Sequence, residues 1–402
     1  MSVDSKPSPY TETTGSARHA AFAELAKTGP VQRITLFTGV TVWHVTGYAE
    51  IREVMSNPDV VKTADQVPHR DHVPEAVSAA MNSHMLSANP PHHTRLRRLV
   101  SAAFTRRRIE TLEPRITQIA ESLADDLATQ SADGSAVDVI SGFGYPLPIT
   151  VIAELIGVPV PDRDDFRRWS SIVVYGPIHT PEVYLDATTS LIDYVRRLID
   201  DKRANPADDL LTDLVNVRDG GDRLSDDELT STVALLLVAG HETTVNLIAN
   251  TMYALLSHPG QLTALRADPE RIPAAIEESL RFDGPVQIGI PSFTAAPVRV
   301  GDVTIPAGEV IVTALLAANR DPGRFPNPDT FDVSRPPTPH LTFGHGIHHC
   351  LGAPLARLEG RIAIRTLLDR FGDIRLADPD TEPSRHPGLL LNGLTDLTVH
   401  LR

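Results

Sequence analysis

The 402-residue sequence holds a single cysteine, Cys350. One thiol cannot close an internal disulfide, so a disulfide-stapled scaffold is excluded and a reducing, cytoplasmic setting is expected. Basic residues are outnumbered, 37 against 51 acidic ones, giving a net charge of −14. That deficit argues against a general nucleic-acid binder. Long hydrophobic runs are also missing. The longest, around residues 233–239, falls far short of the roughly 20 residues that cross a bilayer. The first 20 residues are polar and carry no signal-peptide core. No repeat, Gly/Ser linker or composition shift marks a boundary. The expectation is a flexible arm over residues 1–20 and one large domain over 21–402, although length alone suggests two or three domains. With 41% hydrophobic and 22% charged residues, the chain is an ordinary globular protein.

Residues 31–37 and 40–45 alternate as two short strands, and a helix is expected over 48–55. Residues 57–85 have weak periodicity and read as a long loop with a helical turn. Further helices are expected over 90–103, 113–129, 149–155, 181–202, 270–282 and 352–371. Ser225-Asp226-Asp227-Glu228 is a capping box that opens a long apolar helix ending near Leu256. Short strands are expected near 298–300 and 310–312. The fold class is mainly α with a minor β region.

Cys350 lies in Phe343-Gly344-His345-Gly346-Ile347-His348-His349-Cys350-Leu351-Gly352. The glycines suit a tight loop with close backbone approach. Gly352-Ala353-Pro354 then opens a helix, whose N-terminal amides favour a thiolate. Such a thiolate is a good axial ligand for haem iron. A lone cysteine is more often a small buried hydrophobe, and only the joint spacing Phe-x-x-Gly-x-x-x-Cys-x-Gly points away from that. The long helix carries Ala239-Gly240-His241-Glu242-Thr243-Thr244. Small residues there admit close approach, and an acid beside a threonine can deliver protons. A His-Glu-x-x-His metalloprotease is excluded, because residue 245 is Val. Glu278 and Arg281 are spaced to pair on one helix face, and His93 and Arg97, four residues apart, share a face.

Together these motifs, in this order, resemble the cytochrome P450 superfamily, in its soluble actinobacterial type that tailors natural products. The resemblance runs from about residue 30 to the C-terminus. It implies a P450 fold, with haem between the long central helix and the cysteine-loop helix. It implies Cys350 as the axial ligand and iron-binding residue, with Ala239, Gly240, Phe343, Gly344 and Gly352 around the haem b cofactor. His93, Arg97 and His348 would hold propionates. Glu242 and Thr243 would support proton delivery to bound O2, and Glu278, Arg281 and Arg335 would form a buried charge cluster. His92 is expected to be a surface variant and His241 a structural or proton-network residue.

One position departs from the pattern. Relatives often carry a propionate-binding arginine where this chain has Ser292, so one fewer cationic contact is expected unless Arg299 substitutes. The implied reaction is monooxygenation of a hydrophobic natural product such as a macrolide, polyketide or terpenoid, by hydroxylation or epoxidation. Desaturation, oxidative coupling and steroid or fatty-acid hydroxylation stay open. Met81, Met85, Leu236, Val238, Ala239, Val286, Ile288, Ile290 and Leu391 are candidate pocket residues, drawn from segments that include 67–86 and 167–181. Electrons would come from NAD(P)H through ferredoxin reductase and an acidic ferredoxin, the latter steered by Arg95, Arg98, Arg106, Arg107, Arg108 and Arg357. A monomer is expected, with no nucleic-acid or membrane partner. Two readings from other classes are a haem-binding sensor without turnover, and a thiol hydrolase pairing Cys350 with His348 or His349.

Overall fold

The computed structural model describes residues 8–62, 74–176 and 179–402. In chain order the elements are α1 (Gly15–Ala26), β1 (Val31–Thr35), β2 (Thr41–Val45), α2 (Tyr48–Ser56), β3 (Val60–Val61), α3 (Glu75–Asn82), α4 (His92–Ala103), α5 (Arg106–Thr111), α6 (Glu113–Gln130), β4 (Val137–Asp138) and α7 (Pro146–Ile156). Next come α8 (Arg163–Val174), α9 (Pro181–Ala204), α10 (Leu210–Asn216), α11 (Asp226–Ser257), α12 (Pro259–Ala267), α13 (Ile272–Asp283), β5 (Ser292–Thr294), β6 (Val298–Val300), β7 (Val303–Ile305) and β8 (Val310–Thr313). The chain ends with α14 (Leu315–Ala318), α15 (Ala353–Arg370), β9 (Ile374–Leu376) and β10 (Thr398–Leu401).

Two compact units share the chain: residues 1–61, 117–146 and 243–402 form one, and residues 62–116 and 147–242 the other. The sequence reading expected one domain from residue 21. Because the segments interleave, no linear change of composition marks where one unit stops.

The first unit holds every strand described. A five-stranded sheet runs β1-β2-β8-β5-β3, a three-stranded sheet runs β4-β10-β9, and β6 and β7 form a hairpin. β1 and β2 pair antiparallel, with Val31 opposite Val45. Val31, Val45, Ile51, Val54, Val300, Ile305, Leu315 and Phe325 pack into one apolar cluster. A second cluster gathers Tyr10, Phe22, Leu36, Val42, Ile288, Val312 and Leu316. The expected flexible arm over 1–20 is therefore corrected for residues 8–20; residues 1–7 lie outside the described residues. Thr14 caps α1 by accepting from the Ala17 amide, and Arg18 is fully buried. Its guanidinium donates to Asn392 Oδ1 at 2.8 Å and to two backbone carbonyls. Long-range partners order a segment whose own sequence is polar and weakly amphipathic.

The regular elements described in the second unit are all helices. Thr180 caps α9, Pro181 occupies its first turn, and Lys202 and Arg203 close it against the helix dipole. The capping box at α11 forms as read: Ser225 Oγ accepts from the Glu228 amide at 3.2 Å, and Glu228 Oε2 accepts from the Ser225 amide at 2.8 Å. Within the segment read as a loop over 57–85, β3 and α3 are structured and residues 63–73 lie outside the described residues. α11 is long and apolar enough to span a bilayer by length and composition, but 67% of its most apolar window is buried. It is a core helix.

Candidate active site

The cysteine loop lies in the first unit. Gly344 and Gly346 adopt φ values of +74° and +71°, a left-handed backbone that side chains resist. At Gly346 the constraint is doubled, because a Cβ would come within 2.6 Å of the Met55 carbonyl oxygen on α2. The loop can lie on the end of α2 only with glycine there. A single turn over Gly346–His348 follows. The Cys350 amide then donates to the Phe343 carbonyl at 2.9 Å. Cys350 is exposed, and Gly352 stands at the N-cap of α15. A Cβ on Gly352 would sit 3.9 Å from the sulfur, in ordinary van der Waals contact. Phe343, Gly344, His348 and Gly352 are half-buried.

Glu278, Arg281 and Arg335 come together in the same unit. Arg281 is 2% exposed and grips Glu278 through two bonds, 2.7 and 2.8 Å long. Arg335 Nε lies 3.1 Å from the same carboxylate. The two guanidiniums also donate to the carbonyls of Asn319, Pro326, Asn327, Pro328 and Thr330. The cluster thus ties α13 to the long irregular segment that leads into the cysteine loop.

In α11 most residues from Leu229 to Leu256 are buried; Leu235 and Tyr253 are half-buried, and the other exceptions gather in one region. Leu236, Gly240 and Thr243 are half-buried and Ala239 is exposed. These positions are spaced i, i+3, i+4 and i+7, which is one helix face. The helix therefore presents an open stripe of small and apolar residues ending in a hydroxyl. Val238 is half-buried beside it. Glu242 and His241 point elsewhere and are buried, 5% and 0% exposed. In the second unit Ser171 of α8 donates to Glu242 Oε1 at 2.7 Å, and Ser170 lies 3.3 Å from His241 Nε2. His241 Nδ1 is 2.9 Å from the Leu237 carbonyl. Burial lowers the His241 pKa, with Glu242 opposing. Sequence reading missed Ser170 and Ser171, because serines in a polar amphipathic helix carry no pattern of their own.

On α4, His93 is buried and Arg97 half-buried on a shared face. Burial first, then Arg97, lowers the His93 pKa, which favours neutral imidazole. His92 is exposed, with its ring 3.6 Å from Glu228. Ser292 is buried in β5. Arg299 is exposed on β6, 3.6 Å from Asp302. Of the pocket candidates, Met81 is half-buried on α3 and Met85 is buried in the turn Met85–Ser87. Val286 bridges Leu391 in extended pairing, and Ile290 is 38% exposed. Ile288, 3% exposed, packs in the second apolar cluster with Tyr10 and Phe22. In the 167–181 segment, residues 177 and 178 lie outside the described residues.

Five of the six arginines read as a basic face have acid partners. Arg95 pairs with Asp222 and Glu228, both at 2.7 Å, Arg98 with Asp219, Arg106 with Glu110, and Arg108 with Asp213. Arg357 pairs with Glu277 at 2.6 Å. Only Arg107 of the six has no acid partner among the described residues. The arginines that look free in sequence pair with acids from α5, α10, α11, α13 and the segment before α11.

Comparison with known proteins decides the family. The cytochrome P450 family matches residues 11–165 and 170–395. The chain belongs to the cytochrome P450 family. It is 47% identical over 389 residues to cytochrome P450 107B1 of Saccharopolyspora erythraea, covering 95% of this chain and 94% of that one. Mycinamicin IV hydroxylase/epoxidase of Micromonospora griseorubida is 40% identical, with 99% of both chains covered. The tirandamycin C-bound P450 monooxygenase TamI superposes with a TM-score of 0.86 at 40% identity, covering 96% of this chain and 97% of that one. The chain is therefore a P450 monooxygenase with the P450 fold, and haem iron and dioxygen belong to its chemistry. Membership sets aside the thiol-hydrolase reading.

Proposed function

We propose that this P450 oxidises a hydrophobic natural product of the macrolide, polyketide or terpenoid class, by hydroxylation or epoxidation, with Cys350 as the residue that would ligate the iron of haem b. The observation that carries the ligand assignment is the exposed Cys350, its amide fixed to Phe343 ahead of α15. That donor set fits haem: one soft, outward-facing thiol, flanked by glycines and stabilised as thiolate by the helix N-terminus. When bound, the haem supplies dioxygen activation and transfer of one oxygen atom into a C–H or C=C bond.

The protein's own residues bind, orient and move protons. Ala239 keeps the open face of α11 free of bulk, and Gly240 makes room for Ile152 of α7. Thr243 ends that stripe with a hydroxyl, and Glu242, held by Ser171, is the acid that passes a proton towards it. Phe343, Gly344 and Gly352 shape the loop around the ligand. His93, Arg97 and His348 hold the propionates, with Ser292 contributing no charge. Glu278, Arg281 and Arg335 hold the segment that leads into the loop. Met81, Met85, Leu236, Val286, Ile290 and Leu391 supply apolar substrate contacts. The hydroxylase/epoxidase name of the mycinamicin relative and the tirandamycin ligand of TamI support the substrate class.

We place electron supply with a separate ferredoxin and NAD(P)H-dependent reductase, since one cysteine cannot ligate a cluster that takes about four. The protein works as a cytoplasmic monomer. A substrate screen by Soret shift, followed by turnover with a surrogate ferredoxin, tests this reading. Macrolide- or polyketide-sized compounds shift the band and gain one oxygen. A shift and turnover confined to fatty acids would redirect it.

A further inference from the structure

Two side chains flank the ring of Phe343, whose carbonyl accepts the Cys350 amide, and Glu277 bonds to both. Glu277 on α13 grips Arg357 of α15 through two bonds, 2.6 and 2.9 Å long. That grip sets the Arg357 guanidinium 4.5 Å from the Phe343 ring centroid, a cation–π distance. The His340 ring lies 5.8 Å from the same ring on another side. His340 Nδ1 accepts from the Thr342 amide at 3.2 Å, which leaves Nε2 as the N–H facing Glu277 Oε2 at 3.3 Å. The His340 side chain is 4% exposed, whereas Glu277 and Arg357 are 41% and 36% exposed. Burial pushes the Glu277 carboxyl up, but bonds from His340 and Arg357 outweigh it and bring it down to about 2. The carboxylate is thus charged under all working conditions.

Each member takes a separate route to the loop. Arg357 presses on the ring of Phe343. His340 fixes the Thr342 amide, one residue before it. Thr342 is itself anchored by its hydroxyl to the Leu280 carbonyl at 2.6 Å. The backbone at 342–343 is held from three directions, and the Cys350 amide hangs from it.

We propose that Glu277 is a positioning residue for the Cys350 thiolate, acting through Arg357 and His340 on Phe343. The proposal rests on Cys350 being the haem ligand. Glu277→Gln keeps the shape and removes the charge that orients both partners, and Arg357→Lys keeps the charge and removes the planar fork. The readout is the reduced, carbon monoxide-bound holoprotein: the rate at which its thiolate-type Soret band converts to the blue-shifted band of a lost thiolate ligand.

Both variants are expected to convert about two- to fivefold faster than wild type, the range of a partly exposed bidentate pair. Glu277→Asp should recover part of the difference. Glu154→Gln, which breaks the comparable Arg115–Glu154 pair at 2.8 Å in the other unit, controls for general loosening. It should leave the rate unchanged. If Glu277→Gln lowers the thermal midpoint yet converts at the wild-type rate, or no faster than Glu154→Gln, the positioning role is wrong. If wild type itself shows no thiolate-type band, the ligand assignment beneath it has failed instead.

Discussion

The Ser171 hydroxyl donates to Oε1 of Glu242 at 2.7 Å, joining α8 to the acid of the central helix. Glu242 is buried and its neighbour His241 is held by Ser170 and the Leu237 carbonyl, so the carboxylate has a fixed orientation and a nearby hydroxyl to exchange protons with. Ser171→Ala should lower product formed per NAD(P)H consumed by about five- to tenfold, the worth of one ordinary hydrogen bond. Glu242→Gln should lower it by about a hundredfold, with peroxide released in place of product. Product and peroxide assays on the same reaction check both. Unchanged coupling in Ser171→Ala would remove the serine from the proton route.

The charge cluster is a matter of folding. Arg281 has five polar contacts and almost no exposure. Arg281→Ala leaves Glu278 buried with half its partners, which costs about 3–5 kcal/mol. The expected outcome is apo or aggregated protein, seen as a collapsed ratio of Soret to protein absorbance. Arg335 is more exposed, and its loss should be milder.

Acid should destabilise the fold well above the carboxylate range. Burial lowers His44 and His84 to about 4 each, against an ordinary value of 6.5. The unfolded chain therefore binds more protons than the folded one between those values. The stability these groups contribute is fully present above pH 6.5 and is lost as pH falls towards 4. His44 is buried against Tyr10 and Phe22, with the Tyr10 hydroxyl 2.6 Å from its Nε2. His44→Gln keeps a polar partner for Tyr10 without titrating. It should flatten the pH dependence of urea unfolding by up to about 1.4 kcal/mol per pH unit in that window.

Gly346 should tolerate no side chain. Gly346→Ala places a methyl 2.6 Å from the Met55 carbonyl on a backbone at φ +71°. The strain is about 1–3 kcal/mol, and haem retention on gel filtration should fall accordingly. Gly240→Ala meets only the flexible end of Ile152 at 3.0 Å and should retain haem.

Much of the site was legible because its motifs are local. The cysteine loop, the capping box of α11 and the pair Glu278–Arg281 are each set by neighbours within a few residues. The rest depends on partners far along the chain. Arg18 is buried by Asn392 and the His386 carbonyl, more than 360 residues away, so α1 read as a loose arm. Ile288 is apolar in a segment of apolar residues, and only the packing of Tyr10 and Phe22 makes it core. Arg95 and Arg108 look like a free basic face until Asp222 and Asp213 fold against them.

The most direct test of the account is the reduced, carbon monoxide-bound spectrum of wild type beside Cys350→Ser. Wild type should show the red-shifted Soret band of a thiolate-ligated haem, and Cys350→Ser should lose it while any retained haem absorbs at shorter wavelength. A thiolate-type band that survives in Cys350→Ser, or one missing from haem-loaded wild type, would contradict the assignment.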